Sequence, residues 1–258
     1  MQFVKMAWLD FKGNRSVYNF EELVTLEILY PFVTLIFYCI TAGYAHQNSN
    51  IITWVVGNAF LLCTNICIFH LGIGFIGERY TGRICSIITG NLSKIIIILQ
   101  KGFFSIFLSI FTTFFGFFMG CMVFGIDMKP LPWGSIVITF SAGMFSAVGF
   151  GLFISVFGLI SDQMYMILNL TQCLLLILSG ANFPVSQLPY IFQKLSYVLP
   201  LTRGISATQT MLTQASAKLP VQLVLGELLV GGIYFVLAAL FIKRIERSAI
   251  KRGGIELF

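Results

Sequence analysis

Six apolar runs, each about as long as a bilayer is thick, constrain this chain more than any other feature. They cover roughly residues 24–45, 54–76, 102–125, 133–159, 164–180 and 222–242. An α-helix rises about 1.5 Å per residue, so about 20 residues cross the hydrocarbon core. There, every backbone N–H and C=O must be satisfied within the protein, which leaves only helices and closed barrels. The runs are continuous and do not alternate, which argues against a barrel. Composition matters at one point: 57% of the 258 residues are hydrophobic and 10% are charged, against about 25% charged in a soluble domain. The expected fold is therefore an all-α integral membrane protein with six transmembrane helices, a single domain over 1–258. The same numbers exclude disorder, a nucleic-acid module and a secreted disulfide scaffold.

The few charges orient the bundle. With the N-terminus in the cytoplasm, 12 of the 16 basic residues fall inside, and only Lys129, Lys194, Arg203 and Lys218 fall outside. This is the positive-inside pattern, and it places both termini in the cytoplasm of a cell membrane. The net charge of +6 thus reads as inner-face anchoring and not as affinity for nucleic acid. Residues 1–22 carry Lys5, Asp10, Lys12, Arg15, Glu21 and Glu22 without an apolar core, so no cleavable signal is expected. Val4, Trp8 and Phe11 share a helical face, which predicts an amphipathic helix lying in the inner interface. The spans occupy 24–242, and a cytoplasmic tail follows over 243–258.

The stretch 181–221 lies outside on this topology yet is apolar. Pro184, Pro189, Pro200 and Pro220 punctuate it, and Ile191, Leu195, Val198 and Leu199 recur at helical spacing. Two short helices are expected, one of them after Pro200, dipping into the membrane or capping the bundle. Before them, Ser179-Gly180-Ala181-Asn182-Phe183-Pro184 reads as a helix stop.

Residues able to do chemistry are sparse. No G-x-x-x-x-G-K-[ST] loop occurs, so no P-loop ATP site is expected in this chain. His46 and His70 have no partner at metal spacing, no metal site is expected, and the six cysteines read as buried free thiols. Gly143, Ala147, Gly151 and Ser155 form a small-residue stripe in the fourth run, and Gly116 and Gly120 a shorter one in the third. Such stripes let helix backbones approach closely. The fourth-run stripe is either ordinary packing or a surface that slides during transport. Glu27 and Glu227 lie at membrane depth, where an ionisable group is a functional candidate. Each is placed near an interface, Glu27 inside and Glu227 outside, within reach of water. The inner segment 77–94 opens Gly77-Glu78-Arg79-Tyr80-Thr81-Gly82-Arg83, a dense charge patch. It reads either as a docking element for a soluble partner or as a plain membrane anchor.

Taken together, these residues resemble the permeases of type-2 ABC exporters. The likeness rests most on Ser179–Pro189, with its Ser-Gly, Phe-Pro and Leu-Pro pairs, then on Leu199-Pro200-Leu201-Thr202-Arg203-Gly204, and on Glu78-Arg79 with Gly82. Tyr80 and Arg83 depart from the usual Glu-Arg-Glu-x-Gly-Thr pattern. The resemblance implies a coupling helix at Glu78, Arg79, Thr81, Gly82 and Arg83. It also implies re-entrant helices between spans five and six that close the exit, with Phe183, Pro184, Pro189 and Pro200 in the gate. Two ATPase subunits would hold ATP and magnesium, and a second permease, alike or different, would complete the path. The chain itself would be no enzyme. A Leu-Gly-x-Leu-Trp segment typical of polysaccharide exporters is missing before the first span, and outer loop 46–53 is short. Both lean toward export of an amphipathic small molecule or peptide from a bacterial cell. The alternatives are a lipid-linked glycan or polymer as cargo, a secondary transporter or channel, a lipid-active membrane enzyme, and a non-transporting immunity or sensor protein.

Overall fold

The computed structural model describes residues 2–15, 25, 29–45, 51–72, 94–129, 131–157, 161, 163–213 and 219–251. Among these residues, all regular structure is helical and no strand occurs. In chain order the helices are α1 (Gln2–Arg15), α2 (Tyr30–Ala45), α3 (Ile51–Thr64), α4 (Lys94–Val123), α5 (Trp133–Phe157) and α6 (Met164–Leu178). They continue with α7 (Tyr190–Ser196), α8 (Thr202–Thr213) and α9 (Val221–Lys251). A π-helical turn, Asn65–His70, extends α3, and a 3-10 turn, Val185–Gln187, precedes α7.

Among the described residues, four helices are long and apolar enough to cross a membrane: Ile51–Phe69, Gly102–Val123, Trp133–Phe157 and Val221–Ile245. The other two apolar runs give shorter helices. Α2 has 16 residues and α6 has 15, or about 24 and 22 Å of rise, less than the roughly 30 Å hydrocarbon core. Among the described residues the structure thus shows four helices of membrane length and two shorter apolar ones, where six full spans are expected. At the C-terminal end, α9 continues to Lys251, nine residues past the expected span end at 242.

Burial assigns the helices their places. Α5 is the central element, with Ile136, Phe140, Met144, Val148, Leu152 and Val156 all sealed from the surface. A ring cluster anchors it to its neighbours. Phe140 meets Phe60 of α3 at 4.6 Å, and Phe114 and Phe117 of α4 at 5.2 and 5.6 Å. Edge-to-face pairs like these add to simple area burial. Α9 is peripheral: Leu225, Leu229, Ile233, Val236 and Leu240 point outward, as a lipid-facing helix requires. Α1 lies along the start of α4, with Phe3 against Phe103 at 5.7 Å and Trp8 against Phe104 at 5.4 Å. Val4 and Trp8 remain about half exposed, while the side chain of Phe11 lies outside the described residues.

The helix stop after α6 forms where the sequence places it. The Ser179 N–H closes the last turn on Leu175, and Gly180 takes φ +84°. That left-handed conformation is open to glycine without steric cost. The chain then lies flat on α3. A Cβ on Gly57 would stand 2.6 Å from the Ala181 carbonyl oxygen, so only glycine permits this approach.

Candidate functional site

Two polar features stand out in the apolar bundle. The first is an open cleft between α2, α3 and α6, with a cavity of about 100 Å³. Leu35, Leu61, Leu62 and Leu176 line it together with Tyr30, Thr34, Tyr38, Asn58, Gln172 and Cys173. The lining pairs aliphatic surface with hydroxyl, amide and thiol groups, so it can hold a molecule that has both an apolar part and hydrogen-bonding groups. Asn58 is nearly sealed and donates to the Asn182 Oδ1 at 3.0 Å and to the Trp54 carbonyl. The wall of the cleft is thereby tied to the segment that follows α6. Gln209 of α8 donates to the carbonyls of Thr53 (3.3 Å) and Gly180 (3.4 Å), closing the same corner.

The second feature is the carboxylate of Glu227 on α9, which is fully buried. Its Oε1 accepts from the Leu201 N–H at 2.7 Å and from the Ser146 hydroxyl of α5. Its Oε2 accepts from the N–H groups of Arg203 and Gly204, each at 3.2 Å. The first turn of any helix leaves N–H groups without intrahelical partners. Helices commonly satisfy them with a Ser, Thr, Asp or Asn at the N-cap. Here that position holds Leu201, which has no acceptor and sits at φ +72°, a conformation costing about 1–2 kcal/mol outside glycine. Glu227 supplies the missing acceptor from another helix.

The surroundings make room for this junction. Gly226 leaves space for the Arg203 stem, whose Cδ would meet a Cβ there at 2.9 Å. The Arg203 guanidinium lies over the Tyr197 ring at 5.8 Å, with its Nη1 buried and without a hydrogen-bond partner. One turn further along α9, Gly231 packs on α5: a Cβ there would stand 2.8 Å from Ser146 Cα, and one on Gly149 would stand 2.8 Å from the Gly231 carbonyl oxygen. Tyr234 then donates to the Val198 carbonyl at 3.0 Å and packs edge-on against Phe150 at 4.8 Å.

The expected site residues are scattered, not gathered into one centre. Glu227 does not reach water as expected, being wholly enclosed. Gly143, Ala147, Gly151 and Ser155 are buried. A Cβ on Gly143 would run into the Phe60 ring, 2.5 Å away, and one on Gly151 into the Cys67 carbonyl in the π-turn. This stripe therefore faces α3 of the same chain, while Ser146 and Gly149 on the other side of α5 face α9. Pro184, Pro189 and Pro200 each stand at the approach to a helix, and Pro200 alone of the three is buried. Phe183 is about half exposed. Glu78, Arg79, Thr81, Gly82, Arg83 and Glu27 lie outside the described residues. The Leu201–Gly204 donors and Ser146 are absent from the sequence expectations. Backbone N–H groups carry no side-chain signal, and Ser146 lies 81 residues from its acceptor. Among the described residues, no group of three or more His, Cys, Asp or Glu could hold a metal ion.

Comparison with known proteins adds one short likeness. Over 31 residues the chain is 71% identical to nodulation protein J of Sinorhizobium fredii. That stretch is 12% of this chain and 12% of the length of that protein. No family model matches the chain, and no solved structure matches it.

Proposed function

We propose that this chain is the membrane-spanning permease of an ATP-driven exporter. The observation that carries the reading is where the two most family-like stretches sit. Ser179–Pro184 lies against α3 through Ala181 and Asn182, and Leu201–Gly204 is capped by Glu227 with Gly204 close to the Phe60 ring. Gln209 ties both to α3. In this reading α7 and α8 are the re-entrant pair that closes the exit, and the two shorter helices, α2 and α6, border the cargo path. The short likeness to nodulation protein J fits a bacterial source.

The chain hydrolyses nothing in this scheme. Two separate ATPase subunits hold ATP and magnesium, docking on Glu78, Arg79, Thr81, Gly82 and Arg83, and a second permease completes the path. The cargo is an amphipathic small molecule or peptide, which suits the mixed lining of the cleft. A glycan-bearing lipid is the second reading. Tyr30 and Tyr38 beside Asn58 and Gln172 favour it, because sugars stack on aromatic rings and hydrogen-bond to amides. The docking assignment is tested by charge reversal. Glu78→Lys with Arg83→Glu should abolish co-purification with a partner ATPase subunit. An intact complex with full stimulated hydrolysis would refute it.

A further inference from the structure

The cap on α8 is conditional. A helix that carries its own Ser or Asp cap keeps it wherever the helix moves. Α8 instead has Leu201 at its start, and its first-turn donors are satisfied by Glu227, 23 to 26 residues away on α9. Ser146 shares the same carboxylate from α5. The donors are therefore satisfied only while α5, α8 and α9 hold this arrangement. Tyr234 lies seven residues beyond Glu227, two turns along the same face, and grips the Val198 carbonyl. Α9 thus holds the α7–α8 region at two points. Α5 and α9 approach most closely at the glycines at 149 and 231. A carboxylate enclosed at membrane depth is costly unless its lone pairs are filled, and here its four donors come from two other elements.

We propose that Glu227 is a positioning residue that makes α8 move with α9, so that a displacement of α9 against α5 is passed to the stretch that closes the exit. This rests on the permease reading, to which it adds the link within the membrane. The chemistry specifies a carboxylate. Glutamine keeps the volume but has one acceptor oxygen. Its NH2 group would face either the Leu201 N–H or those of Arg203 and Gly204, donor against donor.

Spin labels on cysteines at Thr210 of α8 and Ile233 of α9, both at the surface, test the link in the full-length chain in nanodiscs with native cysteines replaced. The parent should give one narrow distance, and Glu227→Gln a broad or doubled distribution. Amide exchange at 201–205 should be at least tenfold faster in Glu227→Gln, with α9 protection unchanged. A second label pair, Phe111 of α4 with Thr210, reads α8 against the bundle. With the partner ATPase and ATP the parent should shift, and Glu227→Gln should not. A Glu227→Gln protein with the parent's narrow distance and exchange would overturn the proposal, as would one that keeps the full ATP-driven shift. Should Glu227→Gln fail to fold, the milder pair Ser146→Ala with Tyr234→Phe carries the test, with the same broadening expected and a narrow distribution overturning it. Absence of any ATP-driven shift in the parent would count against the permease reading, while the α8–α9 distance would still decide the link.

Discussion

Adjacent glycines on α9 face different surroundings. Gly231 sits at the crossing with α5, where a Cβ would press on Ser146 Cα at 2.8 Å; Gly232 has nothing within 4 Å. Gly231→Ala should therefore lower stability by about 1–3 kcal/mol, the usual cost of overpacking. Gly232→Ala should raise it by about 0.5–1 kcal/mol, because alanine loses less backbone entropy in a helix. Thermal unfolding of the two variants in the same detergent checks the signs, and equal midpoints would contradict the close crossing. The same geometry bears on Gly151, where a side chain would meet the backbone of Cys67 and not a movable side chain. Gly151→Leu should cost folded protein, so a loss of transport in that variant is no sign of a sliding surface.

At the scale of elements, helix starts and stops were legible because proline and glycine act locally. Pro189 and Pro200 lead into α7 and α8, and Gly180 takes the left-handed turn that ends α6. Partner choice was not legible. The stripe of Gly143, Ala147, Gly151 and Ser155 signals a close approach without saying to which helix, and its neighbour proved to be α3. The glycine crossing of α5 with α9 uses Ser146, Gly149 and Gly231, which no single-helix pattern reveals. Glu227 could be singled out as an ionisable group at depth, but its role depends on backbone donors that no sequence displays. The π-turn at Asn65–His70 likewise follows from packing, with Gly151 drawn onto the Cys67 carbonyl.

Α7 gives a prediction of its own. Tyr190, Ile191, Leu195 and Val198 are exposed, Ile191 to 77%, and Lys194 reaches over the Tyr190 ring at 4.6 Å. In water such a surface would be unfavourable by about 25 cal/mol per Å² of apolar area. Within lipid it is at home. With the native tryptophans replaced, Ile191→Trp should emit at short wavelength in vesicles and be quenched by brominated acyl chains. Emission typical of water, with no such quenching, would place α7 outside the bilayer.

The molecule as a whole is built around α5, with α3, α4 and α9 as the other membrane-length helices and the two shorter ones, α2 and α6, bordering a polar cleft. Among the described residues, exposed apolar side chains line α2, α4, α6, α7 and α9, which a bilayer can cover. The polar cleft sets amide, hydroxyl and thiol groups beside aliphatic ones; in the proposed permease it would border a cargo path shared with a second permease and driven by a separate ATPase. The most direct measurement of that claim is uptake of a fluorescent acylated peptide into inside-out vesicles holding this chain and its partner ATPase subunit. The account predicts accumulation that requires ATP and stops when the ATPase carries an inactivated P-loop lysine. Accumulation driven by an ion gradient alone, with the ATPase absent, would contradict it.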